Sequence, residues 1–173
     1  MDANHLIDTG LYPKNVFDIL FKHEVARSQR HSSPLTLLKL QPFLEEAPHE
    51  IRESAVLTIT SMLNVKLRVT DVPTFINRGL FFWIVLTDTD NIGGKVVCER
   101  ILDIVANMQS YETIDGIPFN IYANIGMTSH STKSFTGAQL YTEADMALTA
   151  ARKKGMQTYV DFHNIEAALF NPN

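Results

Sequence analysis

The chain carries one cysteine, Cys98, in 173 residues, which excludes an internal disulfide. A lone thiol inside an apolar helical pattern reads as a core residue of a protein kept in a reducing compartment. Long hydrophobic runs are missing too: nothing approaches the roughly 18 apolar residues that span a membrane. The opening MDANHLIDTG has neither the basic nor the apolar part of a signal peptide. A cytoplasmic location is therefore expected, and the abrupt start suggests one module of a longer protein. There is no excess of positive charge, since 15 Lys and Arg stand against 19 Asp and Glu for a net charge of −4. Without a basic stripe, nucleic acid is excluded as the main partner, and an anionic ligand needs a local site. The six His are scattered without H-x-H or H-x-x-x-H spacing, so neither a metal site nor a cofactor is expected. Repeats, low-complexity tracts and linkers are likewise absent. What remains is a 45% apolar chain, sufficient for one sizeable core, and residues 1–173 read as a single domain.

Apolar periodicity supplies the elements. Val16, Phe17, Leu20 and Phe21 share one face of a helix running from Pro13 to His31, with the proline suited to its first turn. LTLLKL, residues 35–40, is a strand punctuated by Pro34 and Pro42. Ile51, Ala55, Ile59, Met62 and Leu63 mark a second helix over 50–67. A polar turn, Asn77-Arg78-Gly79, then enters the unbroken run Leu80 to Leu86, which predicts a hairpin tip feeding a buried strand. Val97, Ile101, Ile104, Val105 and Met108 stripe a third helix over 93–108, and Asp88 and Asp90 before it read as cap and turn residues rather than catalytic carboxylates. IPFNIYANIGMTS, 117–129, alternates as one strand; GAQLYTEADMALTAARKKG is a fourth helix stopped by Gly155; QTYVDF is a last strand. The order predicts an α/β (α+β) domain with a single mixed central sheet covered by helices.

Five of these pieces, in this order, resemble the GGDEF or diguanylate cyclase family. DTGLYPKNVFDILFKHEVARSQRHSSPLTLLKL is similar to the family's opening, FFWIVLTDTD to the strand after its signature turn and VVCERILDIV to the helix that follows. IPFNIYANIGMTS and YTEADMALTAARKKGMQTYV are similar to its last long strand and its final helix and strand. The resemblance runs from about 8 to 162, leaving 163–173 as a C-terminal tail. It implies a nucleotidyl cyclase palm-like fold and a place in bacterial cyclic di-GMP signalling.

The resemblance also assigns positions. The family's Gly-Gly-Asp-Glu-Phe loop falls on Arg78-Gly79-Leu80-Phe81-Phe82, where both acidic residues have become apolar. The two Asp of its D-x-D-x-F strand fall on Lys39 and Gln41. In the family these carboxylates hold the metal ions that activate GTP, and hard cations require anionic oxygens. The guanine-reading pattern has no counterpart in LEEAPHEIRES. Arg152 occupies a phosphate-binding Lys position, while Met156 replaces the Arg beyond it. The expectation is a catalytically inactive domain with no catalytic residues.

A second family site, for product inhibition, places an R-x-x-D before the hairpin and an Arg on the next helix. Arg68, Asp71 and Arg100 match it. Guanidinium groups fork onto guanine or phosphate, and a carboxylate accepts from guanine N–H groups, so cyclic di-GMP is the expected ligand. The spacer 72–77 between Asp71 and Arg78 is one residue longer than the family's, which predicts a bulge or a shifted register. A rival reading makes Leu80 and Phe81 an apolar patch for a protein partner or a homodimer, with no nucleotide bound.

Overall fold

The computed structural model describes residues 7–44, 47–108, 111–112, 116 and 118–165. Its elements are α1 (Lys14–His31), β1 (Leu35–Pro42), α2 (His49–Lys66), β2 (Val72–Ile76), β3 (Phe81–Thr87), α3 (Asn91–Ala106), β4 (Tyr111–Glu112), β5 (Pro118–Phe119), β6 (Ala123–His130), α4 (Gly137–Lys154) and β7 (Thr158–Asp161), closed by a 3-10 turn, Phe162–Asn164. A five-stranded sheet runs β2-β3-β1-β6-β7. It is mixed: β1 pairs antiparallel with both β3 and β6, whereas β6 and β7 are parallel and joined through α4. The predicted order of helices and strands holds, and the palm-like α+β fold is the one observed.

Strand alternation divides the core between the two faces of the sheet. Leu38 and Leu40 of β1, Phe82, Ile84 and Leu86 of β3, and Ile125 and Met127 of β6 pack beneath α2 and α3. Leu35 and Leu37 of β1 and Trp83 and Val85 of β3 meet Phe17, Phe21 and Val25 of α1 and Leu140 and Ala144 of α4. With both faces covered, β3 is apolar throughout, which is why its residues read as a continuous run rather than an alternation. Cys98 is fully buried in the first of these cores.

Several expectations need correction. The alternation over 117–129 does not form one strand: β5 pairs with β4 in a separate two-stranded ribbon, and only Ala123–His130 joins the main sheet. Period-two patterning reports side-chain direction and cannot reveal the break at Asn120–Tyr122. Pro13 is the N-cap of α1 rather than part of its first turn. No bulge interrupts the β2–β3 hairpin either. Its register runs evenly from Val72↔Val85 to Ile76↔Phe81, and the long spacer is taken up in the turn 77–80, where Gly79 (φ 94°) and Leu80 (φ 49°) are both left-handed. Of the predicted C-terminal tail, residues 163–165 continue the fold as the 3-10 turn and its end, and 166–173 lie outside the described residues.

Gly126 fixes the distance between sheet and helix. A Cβ there would lie 2.2 Å from the Ala144 carbonyl oxygen and 2.3 Å from the Leu148 nitrogen, so α4 rests directly on the backbone of β6. That contact seats Asp145 and Arg152 of α4 above the end of β1.

Candidate functional site

Two places gather the residues singled out in the sequence. The first is the hairpin end of the sheet. Lys39 and Gln41 lie two apart on β1 and therefore point to the same face, the one covered by α4. The Lys39 ammonium is 2.5 Å from the Asp145 carboxylate and lies over the rings of Phe81 (4.2 Å) and Trp83 (4.9 Å). Gln41 donates from its amide nitrogen to the Gly79 carbonyl at 3.1 Å and accepts from Arg152 at 3.1 Å. The signature-loop positions are thus tied to β1 and α4 by an ammonium over aromatic faces and by an amide link. An aromatic face attracts a cation through its quadrupole, so Phe81 and Lys39 suit each other as a pair where two carboxylates would need an added metal ion. The chemistry available here is an ammonium, a guanidinium and an amide; the carboxylate of Asp145 is already engaged by Lys39.

Leu80 and Phe81 do not form an open patch. Both are half-buried, Leu80 against the core under α2 and α3 and Phe81 against the core under α1 and α4, and Phe81 meets Trp83 edge-on at 5.9 Å. Phe82 is fully buried, while Arg78 at the tip is exposed.

The second place is the end of α2. Arg68, Val69, Thr70 and Asp71 form a tight turn in which the Asp71 N–H donates to the Arg68 carbonyl at 3.0 Å. One Asp71 carboxylate oxygen accepts the Arg68 backbone N–H (2.8 Å) and the other the Thr87 backbone N–H (3.3 Å), binding the turn to the end of β3. Burial pushes the Asp71 carboxyl above the usual carboxylate range, although those two N–H groups and the charges of Arg68 and Arg100 pull the other way. Arg100 reaches across from α3 and donates to the Lys66 carbonyl (3.1 Å), one of the carbonyls left open at the end of α2. The structure therefore brings Arg68, Asp71 and Arg100 together, with the two arginines exposed and the aspartate buried. Beside them lies a cleft of about 680 Å³. Arg68, Asp71 and Asn64 give it polar groups, and Tyr12, Leu67 and Val69 give it apolar walls.

Sequence reasoning missed Asp145 as the partner of Lys39, because the two lie 106 positions apart and only the docking of α4 joins them. It also missed a buried cluster on the α4 side of β6. Glu143 accepts from Thr128 (2.5 Å) and Gln139 (2.7 Å) and lies 2.7 Å from the His130 Nε2. A Glu on a helix three positions into an apolar stripe was its one available signal.

Comparison with known proteins agrees with this fold. The sequence model of the diguanylate cyclase GGDEF domain matches residues 6–158, and the chain belongs to the GGDEF family. No curated protein matches the chain in sequence. Among solved structures, the GGDEF domain of DgcB from Caulobacter crescentus, in complex with c-di-GMP, superimposes with a TM-score of 0.81 at 15% identity, covering 94% of this chain and 98% of that one. The diguanylate cyclase SiaD from Pseudomonas aeruginosa, in complex with its activator SiaC, gives 0.78 at 24% identity; 88% of this chain is covered, and the chain spans 59% of SiaD. The GGDEF domain of TpbB (YfiN) from Pseudomonas aeruginosa gives 0.72 at 19% identity over 98% and 99% of the two chains. At these identities the neighbours establish the fold.

Proposed function

We propose that this GGDEF domain acts in cyclic di-GMP signalling as a receptor rather than a synthase, holding the dinucleotide at the end of α2. The observation that carries the reading is the convergence of Arg68, Asp71 and Arg100 beside the cleft. Two exposed guanidinium groups offer forked donors to phosphate or to guanine O6 and N7. Asp71 uses one lone pair of each oxygen on the backbone and keeps others for guanine N–H groups. Tyr12 and Val69 supply flat or apolar surface against which a base can lie.

The loss of synthesis rests on Lys39, Gln41, Leu80 and Phe81. In-line phosphoryl transfer from GTP requires metal ions to offset charge on the triphosphate, and a fixed ammonium over Phe81 repels them. Purified protein with GTP and magnesium is expected to form no cyclic di-GMP; a product peak on chromatography that vanishes on adding a chelator would overturn this part. For the receptor role, Arg68→Ala and Arg100→Ala are each expected to weaken dinucleotide binding at least tenfold, or about 1.4 kcal/mol. Affinity unchanged in both variants would remove the site.

The rival reading, a nucleotide-free module that pairs with a protein or with itself through Leu80 and Phe81, is less well supported because both side chains are packed against the cores.

A further inference from the structure

A second polar crevice, of about 390 Å³, opens at the other end of the sheet, where the parallel strands β6 and β7 finish beside the N-terminus of α3. The C-terminal edge of parallel strands next to a helix N-terminus is where α/β sheets take ligands. Three features give this crevice donors without acceptors. Ser129 follows Ala123, Ile125 and Met127 on the α3 face of β6 and lines the crevice; it is only 8% exposed, yet its hydroxyl makes no hydrogen bond with any described residue. Among the described residues the sealed side-chain groups without a partner are Ser33 Oγ and Thr60 Oγ1; the Ser129 hydroxyl is therefore open to the crevice and can donate to what enters it. The first turn of α3 presents the N–H groups of Asn91 and Ile92, which the helix cannot satisfy, while Asp90 caps only Gly93 at 2.8 Å. Lys95, one turn on, spends part of its ammonium on Asp161 at 3.3 Å and has N–H groups to spare.

Two carboxylates line the wall: Asp90 is exposed, so water screens its charge, and one of its oxygens accepts from the Gly93 N–H. Asp161 is almost fully buried and accepts from Asn91 (2.6 Å), Asn164 (3.4 Å), Lys95 and the His163 backbone (3.1 Å), so its charge is already answered. His163 is itself held by donating from Nε2 to the Ser129 carbonyl at 2.8 Å.

We propose that this crevice is an oxyanion site that takes a phosphate group, free or at the end of a nucleotide, on the hydroxyls of Ser129 and Ser131, the Lys95 ammonium and the first N–H groups of α3. Because Lys95 shares its charge with Asp161, the expected dissociation constant for inorganic phosphate is about 1 mM. The test is titration of the isotope-labelled protein with inorganic phosphate, followed by amide NMR, which also reports folding. Saturable shifts are expected at Asn91, Ile92 and 129–131, weakened at least threefold by Ser129→Ala, which removes only a hydroxyl, and about tenfold by Lys95→Gln. A parallel titration with guanosine monophosphate separates the sources: equal affinity means the phosphate alone is recognised, and tighter binding means a nucleotide is. No saturable shift at tens of millimolar phosphate, shifts centred instead on Arg68 and Arg100, or unchanged affinity in folded Ser129→Ala would overturn the proposal.

Discussion

At the scale of single residues, the two arginines and the aspartate of the α2 turn call for different experiments. Arg68 and Arg100 are exposed, so removing either changes what a ligand meets and leaves the core alone. Asp71 is buried and ties two backbone N–H groups together. Asp71→Ala strands the Thr87 N–H and is expected to cost about 2 kcal/mol in urea denaturation with or without ligand. Stability equal to the parent would show that the carboxylate does not hold the turn. Lys39 is a comparable case at the hairpin end. Lys39→Met keeps the apolar stem over Phe81 and Trp83 but loses the charge, and a destabilisation of about 1 kcal/mol is expected. The sequence exposed the identity of these residues and not their partners. Arg68 and Asp71 were legible as a motif because they are three apart, whereas the Lys39 contacts with Asp145 and Phe81 exist only after α4 and the hairpin are folded onto β1.

Among the elements, those with a strong local cause were legible. α1 ends where the pattern ends, α4 stops at Gly155 with φ 145°, and Asp90 caps α3 as its position before the apolar stripe suggests. The β5–β6 break and the even hairpin register were not legible, since both depend on which strand lies alongside rather than on side-chain pattern. Close packing of α4 on β6 gives a direct prediction: Gly126→Ala drives a methyl group into the backbone of Ala144 and Leu148, neither of which can rotate away, and is expected to cost about 3 kcal/mol or more. A thermal midpoint within a degree or two of the parent would contradict the packing. The same interface carries a pH dependence. Burial pushes the Glu143 carboxyl up, but hydrogen bonds from Thr128, His130 and Gln139 outweigh it and hold the group below its ordinary value of 4.5. The folded state therefore binds fewer protons than the unfolded chain in acid. The stability from Glu143 is complete above about that pH and is lost as pH falls through the folded value. Glu143→Gln is expected to flatten the acid limb of a urea-midpoint profile between neutral pH and about pH 3; parallel limbs would show that Glu143 has no such role.

At the scale of the whole molecule, the fold was legible because the pieces of the family pattern occur in order along nearly the entire chain, and the matched span 6–158 agrees with that reading. The proposed loss of synthesis was read at the loop, where the chain has an apolar residue at a position that the family resemblance implies to be a metal ligand. The crevice at the far end of the sheet was invisible in sequence because Ser129, Lys95 and Asp161 come from three elements that only the assembled sheet brings together. Among the described residues no helix is long and apolar enough to cross a membrane. The central claim is that a family built to make a dinucleotide is here used to sense it. Isothermal titration of cyclic di-GMP into the wild-type protein, with GTP as the control, tests it most directly. Saturable binding of the dinucleotide at micromolar or tighter affinity, with none of GTP, is the predicted result, and absence of heat for cyclic di-GMP at a concentration of folded protein suited to that affinity would contradict it.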